Sequence, residues 1–184
     1  MFQGERSIPA VQCATVVEGF AARAAATPDA VALVCGGSTL TYRELDRRAE
    51  GLARALAGRG VGAESRVGLL LARSAEVVVA MLAVLKAGAV YVPLHPDSPE
   101  ERTRSLLARS RAVLVLTDQD RSTVAGFPAL RADTSAAGSS PLPAAAPLPD
   151  ALTYVCQWCA RGSSRGPKSA VSARWTRRAA MGQA

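Results

Sequence analysis

VLKAGAVYVPLHPDSPEER, residues 84–102, changes its periodicity twice, and those two changes decide the fold. Val84 and Leu85 close an apolar segment with a helical repeat. Gly88 then supplies a stop, because glycine takes a left-handed conformation at little cost. Ala89 to Leu94 is apolar on both faces, the mark of a strand covered from two sides. Pro93 and Pro96 set a turn after that strand. Ser98-Pro99-Glu100-Glu101 reads as a capping box with proline at the first helical position, where its missing N–H costs nothing. The helix it opens is expected to run to about Arg109.

The same helix–strand–helix order extends in both directions. Upstream, Val67 to Leu71 is another apolar strand, and Ser74 can cap a helix over 75–86. Downstream, AVLVLT at 112–117 is a third strand. Fully apolar strands alternating with helices of 10–15 residues indicate a parallel sheet covered by helices. Nearer the N-terminus, Val17, Phe20, Ala21 and Ala24 recur at helical spacing over about 16–26. Val31 to Val34, Gly36-Gly37 and Thr39 to Thr41 read as a hairpin. Thr41-Tyr42-Arg43-Glu44 is a second capping box, and the helix behind it carries Leu45, Ala49, Leu52 and Leu56 on one face.

Residues 134–149, TSAAGSSPLPAAAPLP, break the alternation with four prolines and no charge, as a linker or surface loop would. The net charge of +7 is concentrated beyond it. Residues 151–184 contain no acidic side chain but hold Arg161, Arg165, Lys168, Arg174, Arg177 and Arg178, while the first 150 residues are nearly neutral. The chain thus divides into an α/β unit over 1–133, a linker over 134–150 and a basic segment over 151–184. The longest unbroken apolar run, Val77 to Leu85, is too short for a bilayer span, which needs roughly 18–20 residues. No secretory signal is read before Pro9, so a cytoplasmic location with free thiols at Cys13, Cys35, Cys156 and Cys159 is expected.

Two of these stretches resemble the adenylate-forming superfamily, and within it the adenylation domains of nonribosomal peptide synthetases. LTYRELDRRAEGLARAL at 40–56 is similar to the family's first core motif, and residues 84–102 are similar to the second, usually written LKAGAAYVPLDPxxPxER. VVEGFAARAAATPDAVALV at 16–34 fits the usual run-in, and the resemblance covers about 16–120. His95 departs from the pattern, standing where the family usually has Asp. The resemblance implies an incomplete parallel-sheet subdomain of the large N-terminal lobe. In the intact family ATP and Mg²⁺ turn an amino-acid carboxylate into an aminoacyl adenylate, which then passes to a carrier-protein thiol. Both motifs are structural in that family, so no catalytic residue is assigned from them.

The family's third motif is an ATP phosphate loop, roughly YTSGSTGRPKG, in which glycines let backbone N–H groups converge on an anion while hydroxyls and a Lys add donors and charge. LTYVCQWCARGSSRGPKSA at 152–170 resembles a damaged version. Gly162, Ser163, Ser164, Gly166 and Lys168 match, but Arg165 replaces the middle glycine and Ser169 the last. The stretch before Gly162 is about two residues too long. A side chain where the loop needs positive φ is disfavoured by roughly 1 kcal/mol or more. The resemblance therefore implies a degenerate cofactor-binding loop and little bound ATP or Mg²⁺. The amino-acid pocket, ribose contact and catalytic Lys of the family would all lie beyond residue 184. Such a chain alone is expected to be inactive.

The same residues admit other readings. Cys156-Gln157-Trp158-Cys159 has CxxC spacing, but a zinc site needs four ligands and no second pair is near, so no metal site is assigned. The basic segment, with Trp158 and Trp175, could attract a polyanion or nucleic acid, yet no nucleic-acid-binding signature precedes it. A non-catalytic interaction or scaffolding module is the alternative to an enzyme. The ordered structure is expected within 16–118, and residues 156–184 are expected not to complete the sheet.

Overall fold

The computed structural model describes residues 15–133 and, as backbone, the strands 152–156 and 171–174. The linker 134–150, Cys13 and Cys159 lie outside the described residues. Helix α1 (Val16–Ala26) leads into strands β1 (Val31–Cys35) and β2 (Ser38–Thr41), an antiparallel hairpin that forms a two-stranded sheet of its own. Then follow α2 (Tyr42–Ala57), β3 (Arg66–Leu70), α3 (Ala75–Lys86), β4 (Val90–Pro93), α4 (Glu100–Ser110) and β5 (Ala112–Thr117). Strands β6 (Thr123–Val124), β7 (Phe127–Arg131), β8 (Leu152–Cys156) and β9 (Val171–Arg174) complete the order.

The main sheet runs β6-β7-β5-β3-β4-β8-β9. Strand β3 pairs in parallel with β4 on one side and β5 on the other. Strands β5–β7 and β4–β8 are also parallel, whereas β6 and β9 are antiparallel edges. Side-chain alternation along β3 sorts the core into two layers. Val67, Leu69 and Leu71 join Leu45, Leu52, Leu56, Val79 and Leu82 in a cluster under α2 and α3. Val90, Val92, Leu94 and Val115 join Leu107 of α4 in a second cluster. Chain order explains the division. The step β3–α3–β4 moves one way across the sheet, and the step β4–α4–β5 returns past β3. Crossovers of one handedness then place the two helices on opposite faces.

Helix boundaries follow local chemistry. The Thr41 capping box is formed: the Thr41 N–H donates to Glu44 Oε2 at 2.9 Å, and the Glu44 N–H donates to Thr41 Oγ1 at 3.3 Å. The Thr41 backbone N–H and then its hydroxyl hold the Glu44 carboxyl below its usual value. An equivalent box, Thr15 with Glu18, starts α1. Gly88, at φ +74°, ends α3 in a paired reversal, in which the Ala89 N–H donates to Val84 O and the Gly88 N–H to Leu85 O.

Four expectations require correction. The Ser98 box does not form. Pro99 is itself the N-cap, in extended backbone at ψ 143°, and α4 starts at Glu100. Ser98 therefore stands one residue outside the helix, with its N–H donated to His95 O. Ser74 occupies the N-cap of α3 without a side-chain cap, because its Oγ donates instead to Ala72 O at 3.2 Å. Regular structure does not stop at 118, since β6 and β7 follow. Finally, β9 continues the sheet where no strand was expected, its backbone pairing from Val171↔Cys156 to Leu152↔Arg174.

These caps separate two otherwise similar substitutions. Thr41→Ala is expected to cost about 1 kcal/mol of unfolding free energy. Ser98→Ala should stay within about 0.5 kcal/mol, as for a surface position without a cap. Urea denaturation of the two variants measures both; equal losses would contradict the assignment of Pro99 as the cap.

Candidate functional site

Strands β3, β4, β5 and β8 all run the same way, so their carboxyl ends lie along one edge. In open α/β sheets ligands bind in crevices at that edge. The candidate phosphate-loop residues Gly162, Ser163, Ser164, Gly166 and Lys168 lie outside the described residues, as does Arg165. Their two flanks are described. The backbone leaves the carboxyl end of β8 after Cys156 and re-enters at Val171, paired with that same residue.

The groups at the neighbouring strand ends are engaged locally. Asp118, just past β5, accepts the Ala72 N–H at 3.3 Å, tying the exits of β3 and β5 together. Thr117 is fully buried, and its Oγ1 accepts the Gln119 N–H at 3.2 Å. Beyond β4, His95 is exposed, and its Nδ1 accepts the Asp97 N–H at 3.3 Å. A carboxylate can make the same turn-closing acceptor two residues ahead, so the substitution of His for Asp is conservative in this respect. At the end of β7, Arg131 pairs with Asp133. Its hydrogen bond is the main cause that holds the Asp133 carboxyl low, and Asp133 in turn raises the guanidinium.

Lys86 of the LKAG stretch has a structural role that its sequence position did not reveal. Its side chain is only 11% exposed, and Nζ lies 2.7 Å from Asp46 Oδ1 and 3.5 Å from Glu50 Oε2, both on α2. Glu50 also accepts from Arg54 at 2.7 Å, and Arg48 reaches Glu76 on α3 at 2.9 Å. Burial is the largest single influence on Glu50 and pushes its carboxyl up. The hydrogen bonds and charges of Arg54 and Lys86 together outweigh it, leaving the carboxyl below its usual value. A depressed carboxylate stabilises the fold above its unfolded pKa, and that contribution is lost as pH falls through the lowered folded value. Lys86→Met is expected to cost roughly 1–2 kcal/mol near neutral pH, discounted for the partial exposure of its partners. The variant should also lose less stability than the parent on acidification below the ordinary glutamate range. Parallel stability–pH curves would show that the α2–α3 link does not depend on this charge.

The pKa displacements of Glu44, Glu50, Arg131 and Asp133 are explained by a cap or by ion pairs. Among the described residues no three His, Cys, Asp or Glu side chains gather as a metal site would require. No helix among them is long and apolar enough to cross a membrane. Of the four cysteines, Cys35 is described as a free thiol.

The model of the family described as "AMP-binding enzyme" matches residues 20–162, most of the chain. The chain belongs to the AMP-binding enzyme family. Tyrocidine synthase 2 of Brevibacillus parabrevis is 47% identical over 104 residues, which cover 56% of this chain and 3% of that protein. The AMPPNP-bound nonribosomal peptide synthetase FmoA3 superposes with a TM-score of 0.69 at 35% identity, covering 79% of this chain and 16% of that one. The N-terminal subdomain of Klebsiella oxytoca NpsA, solved with 3-hydroxybenzoyl-AMSN, gives 0.69 at 26% identity, covering 87% and 41%. The chain spans about 2–3% of the length of the first curated relatives it matches. Its match is to part of a synthetase adenylation domain. The parallel sheet covered on two faces agrees with the fold class expected from residues 84–102.

Proposed function

We propose that residues 1–133 form the opening scaffold of an amino-acid-activating adenylation domain, that 134–150 link it onward, and that 151–184 carry a degenerate ATP phosphate loop. The supporting observation is the parallel pairing of β8 with β4, with GSSRGPKS following β8 in the sequence. In this reading Gly162, Ser163, Ser164 and Gly166 would offer backbone and hydroxyl donors to phosphate, and Lys168 would offer charge. Arg165 at the loop's floor disfavours the glycine-type backbone such a nest needs. The intact adenylation reaction uses ATP with Mg²⁺, an amino acid and a carrier-protein thiol, in the cytoplasm. This chain by itself contributes the scaffold and only weak anion attraction. Adenylation in the family also requires a substrate pocket, a ribose contact and a catalytic Lys.

Equilibrium dialysis with ATP tests the reading. Weak retention is expected at low ionic strength. It should be reduced by Lys168→Ala and abolished at about 0.2 M salt, where exposed charges are largely screened. Salt-resistant retention that favours ATP over inorganic tripolyphosphate would instead indicate a well-built nucleotide loop and would overturn the assignment of a degenerate one.

A further inference from the structure

We draw no further inference here: the strongest candidate, the outward face of the β1–β2 hairpin, on which Val31 and Val34 are exposed, carries nothing because nothing in the structure shows what covers it.

Discussion

Leu107→Ala is expected to lower the unfolding free energy by about 2–5 kcal/mol, the range for a fully buried leucine whose removal leaves a cavity. Leu107 has no exposed surface and sits at the centre of the smaller core layer, where α4 covers the sheet. Its seat is Gly68 on β3. A Cβ at Gly68 would lie 2.7 Å from Leu107 Cδ2, 3.1 Å from Leu94 Cδ1 and 3.3 Å from Val115 Cγ2. The first distance is too short for any carbon pair, so Gly68→Ala must displace Leu107 and should cost about 1–3 kcal/mol by overpacking. The two losses should not add. Leu107→Ala removes the methyl that the new Cβ would strike, so the double variant should be more stable than the sum of the singles predicts. The coupling should be on the order of 0.5–3 kcal/mol, as for residues in contact. Urea unfolding of the four proteins measures it. Additive losses would mean that α4 does not rest on Gly68, and the division of the core into two faces would fail with it.

Much of this architecture was legible because the main strands are apolar throughout. Ala112 to Thr117 occurs as read, and β3 and β4 differ from 67–71 and 89–94 by one residue at their ends. Those end positions depend on partners distant in the chain: Arg66 is drawn into β3 by pairing with both Val90 and Ala112. The Thr15 box was as legible as the one at Thr41, since Thr15 and Glu18 have the same spacing as Thr41 and Glu44. Ser98 misled because the motif's residue types are present while Pro99 holds the extended backbone of the cap itself. Pro128 disguised β7. A proline argues against an interior strand, but this one pairs with Thr123 in the edge hairpin, before β7 begins its pairing to β5 at Ala129.

The candidate site was less legible for a different reason. Its chemistry depends on the backbone of a loop, and a loop's φ values are not written in hydrophobic periodicity. Glycines signal that a nest is intended, but Arg165 and the extra residues before Gly162 break the spacing by which such a nest is recognised. The basic segment was not expected to complete the sheet, yet β9 pairs with β8. Backbone pairing satisfies donors and acceptors whatever the side-chain charge, and exposed charges are screened over about 8–10 Å at physiological salt. The Lys86 link between α2 and α3 likewise depends on helix packing that the LKAG motif alone does not express.

Amino-acid-dependent exchange between ATP and pyrophosphate separates the proposed scaffold of adenylation from a working adenylation enzyme. Acceleration of such reactions comes mainly from holding reactants in line and from charge fixed where the transition state develops it. In the proposed reading both demands fall on a converging phosphate loop, which Arg165 in place of a glycine disfavours. With each of the common amino acids, exchange is expected to equal the blank without protein, and Lys168→Ala should change nothing. Exchange clearly above that blank, dependent on one amino acid and abolished by Lys168→Ala, would contradict the account.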